Sequence, residues 1–587
     1  MISASKEKIA SFLNGTSQYI IPFFQRGYVW KRENWGELWD NIIEEYAELK
    51  GGNSSEHFIG TIIIKQILSK NVGAAEYELI DGQQRLTTIC LLLRAFYDST
   101  DEDSAKKWIK GFFTFTDSYG IEKIRIIHSK VDSKNFEKVV LAEDNESLWS
   151  EYSTLKQEEF FKAIEKLDSI TAGYLYFRKK IELYCDIQDT RTYISVIIDK
   201  LPVIHMALNA EDDVQQIFDT INSLGVRLTT AELLKNHLFA SKELQVYYDK
   251  YWFDVFEADE DLIEFWNRDR TSGRTRRTTV ELFLYSYLII KKENTVKMES
   301  LFKEFKKYLK DKTEEELITF AKEIAEYANI YKEIPDGENL SELAFNEDEK
   351  RFFHIVREFE ITTIFPLVLF IYKNIEDKVE RVAILKLFES YVTRRTICKL
   401  TTKNYNNTFL SILSEVKRIE RVTVDDFKRI IYSYTEVSNK FPTDEEFRNA
   451  FGSTHLINKY SREVLFCIAL YQLNNGYVDN KKLGLDGFSV EHMMPKNWEA
   501  YWKKLPEGIV ADFRKHKLLT LGNLTLIKGK LNSSMRDSSW SKKRSKLKDF
   551  ATLKITSDYI GVEEWNEQQI ELREKVLYET AKEIWKY

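Results

Sequence analysis

Proline is scarce in this chain, with 7 among 587 residues. Few breakers and abundant aromatics argue for a compact, helix-rich fold. Cysteine is also rare. Cys90, Cys185, Cys398 and Cys467 are scattered and form no CxxC pair, which excludes a disulfide framework and a structural zinc, and suits a reducing cytoplasm. Long apolar runs are missing. The longest, Ile361 to Tyr372, is too short to span a bilayer and contains Pro366. Lys6 and Lys8 lead to Asn14-Gly15 rather than an apolar core, so no signal peptide is expected and the expected location is cytoplasmic, without a membrane. There is no GxxxxGK and no GxGxxG, which excludes a P-loop and a Rossmann site. The net charge of -7 argues against a general nucleic-acid coat protein. No internal repeat or low-complexity tract stands out.

What remains is a long, patterned chain, enough for two to four domains. The expected fold class is α+β, predominantly helical. Val280 to Ile290, Met298 to Leu309 and Glu314 to Ile330 carry apolar residues at helical spacing. Breaks fall at Ile334-Pro-Asp-Gly337 and at Asn439-Lys-Phe-Pro442, where Thr443 can cap a helix opening with Asp444-Glu445-Glu446. Boundaries are placed at 1–245, 246–440 and 441–587. The last helix, from about Trp565, brings Ile570, Arg573, Leu577, Ala581 and Ile584 to one face and is expected to pack rather than to form a site.

The richest chemistry lies near the C-terminus. Gly487-Phe-Ser-Val-Glu-His-Met-Met-Pro495 and Leu519-Thr-Leu-Gly-Asn-Leu-Thr-Leu-Ile527 are strand-like runs, followed by Lys528-Gly-Lys-Leu-Asn532 as a short helix. His492 suits a general base. Glu491 and Asn532 are oxygen donors for a hard ion, Mg²⁺ or Mn²⁺. Asn523 is expected to hydrogen-bond the His492 ring. Between Arg514 and Lys548 basic residues dominate, with Asp537 the sole acid. Lys528, Lys530, Lys542, Lys543 and Arg544 are the expected DNA contacts, attracting phosphates by counterion release. The alternative is a core histidine beside a solvated basic face.

These residues resemble the HNH, or ββα-metal, nucleases, and more closely the C-terminal domain called DUF1524. The resemblance rests on Glu491-His492-Met-Met-Pro495, Gly522-Asn523-Leu524-Thr525-Leu526, Asn532 and Lys542. It implies His492 as base, Asn523 as orienting residue and Glu491 with Asn532 on the metal side. The long insert between His492 and Asn523 departs from simple HNH units, as does Asn532 in place of a His.

The N-terminal third holds a second constellation. Phe58 to Ile64 and Tyr77 to Ile80 are expected strands, and Leu86 to Tyr97 a helix. Between the second strand and the helix stands Asp81-Gly82-Gln83-Gln84-Arg85. A strand, a tight glycine turn and a helix start present backbone N–H groups to an anion. Arg85 and Arg26 could clamp phosphate, and Gln25, Gln83 and Gln84 could bond a base, a sugar or water. Taken alone, the turn could equally be a polar helix cap.

This segment resembles DUF262, with the Asp-Gly-Gln-Gln-Arg turn as its signature, and the ParB/sulfiredoxin-like α/β fold. A third matching piece runs from Ile217 to Asn236, with Glu232 where relatives often carry Asp. The two resemblances cover roughly 1–245 and 450–587. Their order in one chain resembles the GmrSD-like type IV restriction enzymes. It implies an endonuclease of bacterial antiphage defence that cuts modified double-stranded DNA. It also implies an N-terminal domain that binds and hydrolyses a nucleoside triphosphate, GTP, UTP or ATP. A homodimer would supply a second nicking site. Other readings stay open: a phosphorothioation-sensing nickase, an NTP-gated toxin nuclease, or an RNA-directed or binding-only module. One middle segment, Arg268 to Arg277, is dense in arginine and fits either a phosphate grip or a solvated interhelical loop. The Arg394-Arg395 pair is expected to be structural.

Overall fold

The computed structural model describes residues 3–22, 25–53, 55–67, 75–208, 229–272, 275–474, 481–499, 502, 505, 510–528, 538–550 and 552–587. The chain folds as two compact units, 1–264 and 265–587. Both are helix-rich with small sheets, as the α+β expectation had it. Among the described residues no helix is long and apolar enough to cross a membrane.

The first unit is built on strands β1 (Ser3–Glu7), β2 (Ser17–Ile20), β3 (Thr61–Gln66), β4 (Ala75–Asp81), β7 (Ile126–Ile127) and β8 (Val203–Leu208). They form one mixed sheet in the order β1-β8-β3-β4-β2-β7, and β5 (Thr114–Thr116) with β6 (Glu122–Ile124) makes a separate hairpin. Ile62, Ile63 and Ile64 are all buried, which suits a β-branched strand covered on both faces. This strand starts later than the expected Phe58, because Gly60 takes a φ of 114° that no strand accommodates. The helix Gln83–Ser99 follows β4. It buries residues on every side, including Leu86, Ile89, Leu92 and Phe96, and so forms the unit's spine against the helix Ser169–Tyr184.

The second unit begins with a hairpin of β9 (Asp269–Ser272) and β10 (Thr275–Thr278). The Arg268–Arg277 segment is thus a β-hairpin rather than an irregular interhelical loop. The helices Thr279–Lys292, Leu301–Leu309 and Glu314–Glu333 follow. Thr278, Thr313 and Thr443 each close a capping box with the glutamate three residues on, so each accepts one of the orphan N–H groups of the first turn. Pro366 sits in the first turn of Phe365–Asn374, where its missing N–H is harmless. Arg394 and Arg395 are fully buried and structural, as expected. Arg395 donates to Lys440 O at 2.7 Å and Ser438 O at 2.9 Å, and Arg394 donates to Trp585 O at 2.7 Å. They satisfy the carbonyls of the break before Thr443. Among the described residues the unit's remaining strands are β11 (Glu342–Leu343) paired with β12 (Leu483–Gly484), and β13 (Phe488–His492) paired with β14 (Leu524–Lys528).

Candidate functional site

β13 and β14 run antiparallel, with His492 opposite Leu524 and Glu491 opposite Thr525. Successive side chains on a strand point to opposite faces. Glu491 is therefore buried while the neighbouring His492 ring is only half-buried. The run from Leu519 was expected to be strand throughout. Only Leu524 onward is, because Leu521–Asn523 forms a 3₁₀ turn. Arg573 holds that turn from beneath. Its guanidinium is fully buried and donates to Leu521 O at 3.1 Å, Gly522 O at 2.9 Å and Leu524 O at 2.7 Å, and to Ile555 O at 3.0 Å. Burial among carbonyls pulls its pKa down to about 10. Gly522 is required by close approach, since a Cβ there would lie 2.5 Å from Ile570 O.

Asn523 was expected to hydrogen-bond the His492 ring, and it does something else. Its Nδ2 donates to Met494 O at 2.8 Å and Leu518 O at 3.0 Å. Its Oδ1 accepts from Met494 N at 2.8 Å and from the Trp565 indole at 3.0 Å. Those four bonds use both donors and both acceptor sites of the amide. Asn523 therefore clips the chain just after His492 and acts on the imidazole only through the backbone.

Lys543 was expected on the DNA surface. It is buried instead, with its ammonium bonded to the Glu491 carboxylate and, at 2.7 Å, to His492 O. The resemblance had singled out Lys542, which is exposed. Sequence could have pointed to Lys543 through its spacing from Trp540 and Leu547, both buried on the helix Trp540–Phe550. Lys528 and Lys542 reach solvent, and Arg544 is half-buried with Nη1 on Val562 O at 3.2 Å. Further along the basic run, Arg514 is paired with Glu567 inside the fold, and Lys517 lies 3.2 Å from Glu574. The patch is thus smaller than the sequence implied.

Burial, aided by the nearby Lys496 and Lys543 charges, pulls the His492 pKa down to about 4, so its imidazole is neutral at neutral pH. A neutral imidazole can take a proton. Glu491, the adjacent residue on the opposite face of β13, is a hard oxygen donor of the kind that suits Mg²⁺ or Mn²⁺, but here its carboxylate is engaged by Lys543. Asn532, Lys530 and the short helix expected after Lys528 lie outside the described residues.

In the first unit Gly82 caps the helix Gln83–Ser99 with a left-handed φ of 97°. The glutamines around it are not available to a ligand as expected. Gln25 donates to Ile80 O at 2.8 Å and Gln83 to Arg26 O at 3.0 Å. Gln84 donates to Gly27 O at 3.1 Å and accepts from Val29 N at 2.9 Å. All three are buried and fasten the 25–29 loop onto the helix start. What they bring together is ionic. Arg85 donates to Thr61 O at 2.9 Å and lies 3.7 Å from Asp81, in room left by Gly60, whose Cβ would fall 2.6 Å from Arg85 Nε. Burial raises the Asp81 pKa, while Arg85 and Arg26 pull it back. Behind the loop, Asp132 accepts from Tyr28 N at 2.7 Å, and the Tyr28 and Thr88 hydroxyls are 2.6 Å apart. Of the third matching piece, 217–228 lies outside the described residues. Lys235 is buried against Glu257 at 2.7 Å.

Comparison with known proteins bears on both sites. Residues 9–239 match the family model of the GmrSD restriction endonuclease N-terminal domain, and residues 441–580 that of the GmrSD restriction endonuclease C-terminal domain. An uncharacterized protein of Methanocaldococcus jannaschii is 23% identical over 332 residues, 51% of this chain and 51% of that protein. The chain thus spans about half the length of the curated relative it matches. With the two models matching in order and together spanning most of the chain, the protein belongs to the GmrSD restriction endonuclease family.

Proposed function

We propose that the chain is a metal-dependent DNA endonuclease of antiphage defence, with an HNH-type site at His492. The observation that carries this reading is a largely buried imidazole on β13, favoured in its neutral form by burial, one residue from a carboxylate on a strand pair. His492 accepts a proton from water, whose oxygen bonds to phosphorus as one P–O bond of the phosphodiester breaks. Glu491, with Asn532, would hold the divalent ion. When bound, such an ion supplies charge neutralisation at the scissile phosphate. Asn523 and Arg573 position the turn facing His492. Lys528, Lys530, Lys542 and Arg544 are the remaining candidates for phosphate contacts.

The N-terminal turn would bind a nucleoside triphosphate, with Arg85 and Arg26 on phosphate oxygens and backbone N–H groups of Gln83 onward at the helix start. Gly82 lets the turn pack closely on Thr61 and Ile62 of β3, which fixes the helix start. The Gln25, Gln83 and Gln84 side chains shape this loop rather than touch the ligand. Nucleotide binding would regulate cleavage, and the DNA read would be modified foreign DNA, with a homodimer providing two nicking sites.

The test is plasmid cleavage with Mg²⁺ or Mn²⁺, on modified and unmodified DNA, with and without nucleotide. Metal-dependent cutting lost in His492→Ala is the expected result. Cutting that survives in that variant rejects the site. Equal cutting of modified and unmodified DNA rejects modification dependence.

A further inference from the structure

The hairpin β9–β10 borders a cavity of about 380 Å³ inside the second unit. That volume lies in the range of small-ligand sites. Four of its lining residues are aromatic: Phe265, Tyr331, Phe353 and Phe365. Tyr331 and Phe353 are buried, with ring centroids 6.2 and 6.4 Å from Phe365. Toward solvent the lining becomes ionic, and carboxylates outnumber cations. Glu360 accepts from Lys459 at 2.7 Å, Glu358 from Arg357 at 3.3 Å, and Asp336 is paired with Arg270. Glu358 also has Arg462 at 3.7 Å. A carboxylate offers about four acceptor sites, so one or two cations leave acceptor capacity.

Glu360 adds a separate observation. It stands just past the helix Asp348–Glu358 with a φ of 57°, in the left-handed region where glycine is usual. This left-handed helix end is closed by Ile361 N–H on Val356 O at 3.0 Å, and it places Glu360 in the cavity lining. Arg268, just before the hairpin, and Arg276 on β10 do not line the cavity and are exposed.

We propose that this cavity binds a single nucleobase bearing an exocyclic amino group. The base stacks among Tyr331, Phe353 and Phe365, and its amino group donates to Glu358 and Glu360. Its phosphates stay outside, against Arg268 and Arg276. Aromatic stacking with hydrogen bonds to the base edge is how extruded bases are held, and carboxylates accept from amino groups such as that of cytosine. The aromatic wall suits the base and the exposed arginines suit phosphate, which sets the orientation. The base can come from a free nucleotide or from a DNA strand that extrudes it; the second source rests on the endonuclease reading above.

The experiment is photo-cross-linking of the full chain in EDTA. The probes are an oligonucleotide duplex carrying 5-iododeoxycytidine, free 5-iododeoxycytidine monophosphate, and the matching 5-iododeoxyuridine duplex, with adducts mapped by mass spectrometry. Adducts on Tyr331, Phe353 or Phe365 are expected, reduced at least tenfold in Glu358→Gln and in Glu360→Gly. Glu360→Gly relieves the left-handed backbone, so its melting temperature should hold or rise and misfolding would not explain its loss. The uridine duplex, which lacks the amino donor, should cross-link at least tenfold less.

Adducts from the duplex alone assign an extruded base, and adducts from the monophosphate alone assign a free nucleotide. Adducts outside the cavity, no adducts from either cytosine probe, or adducts undiminished in both variants overturn the proposal, as does equal labelling by the uridine duplex. Because no cleavage occurs in EDTA, this outcome is separate from the plasmid assay that tests the endonuclease.

Discussion

The ammonium of Lys543 is bonded to the carboxylate of Glu491, one residue from His492, and both side chains are buried. The same ammonium donates to His492 O at 2.7 Å, so one lysine fixes both the candidate metal ligand and the backbone of the candidate base. Stripping one partner from a buried pair costs about 3–5 kcal/mol, whereas replacing both with apolar groups is often neutral. Lys543→Met is therefore expected to lower the urea midpoint sharply, and Lys543→Met combined with Glu491→Met to recover much of the loss. A single variant as stable as wild type would contradict the pairing.

His492 gives a prediction with a definite sign. Burial lowers its pKa from 6.5 to about 4 in the folded protein. The unfolded chain then binds more protons than the folded one between those values. The contribution to stability is complete above pH 6.5 and is lost as pH falls toward 4. In the metal-free protein the imidazole proton signals of His492, assigned by their loss in His492→Gln, should titrate near 4. The variant should also lose the matching part of the acid destabilisation. A midpoint near 6.5 would mean that the ring is solvated and not held as a base.

Local pattern made much of this legible. The capping threonine at Thr443, the last helix with Ile570, Leu577 and Ile584 inward, and the Glu491-His492 strand all follow from spacing and residue type. Partnerships across the chain did not. Asn523 carries the same side chain whether it bonds a ring or the chain of Met494, and only the fold decides. Lys543 and Arg514 sit in a basic run whose charge says surface, yet Glu491 and Glu567, distant in sequence, draw them inside. Gln83 and Gln84 likewise look like ligand contacts until the 25–29 loop is seen lying across them. Buried polar groups must find partners, and sequence spacing does not name them.

Gly82 should tolerate no side chain. Its φ of 97° disfavours L-residues, and a Cβ would lie 2.9 Å from Ile62 Cγ1 and 3.1 Å from Thr61 O. Both neighbours belong to β3, which has little room to retreat beside β4 and β8. The backbone penalty alone is roughly 1–2 kcal/mol. Gly82→Ala should lower the melting temperature and weaken nucleotide binding together, read by calorimetry and by titration with a fluorescent triphosphate. Wild-type affinity in a folded Gly82→Ala protein would place the nucleotide away from this turn.

Exposure divides the lysines of the helix Trp540–Phe550 into two kinds. Lys542 reaches solvent and Lys543 is buried on Glu491. A lysine that neutralises one phosphate contributes about 0.9 to the slope of log affinity against log salt on duplex DNA. Lys542→Gln should therefore weaken DNA binding across sequences and flatten that slope by about one counterion. Replacing Lys543 should lower stability while leaving the slope of the folded fraction unchanged. Fluorescence anisotropy over a salt series measures both. A flatter slope from the Lys543 variant, with Lys542→Gln unchanged, would mean that Lys543 leaves Glu491 to meet DNA when the duplex binds.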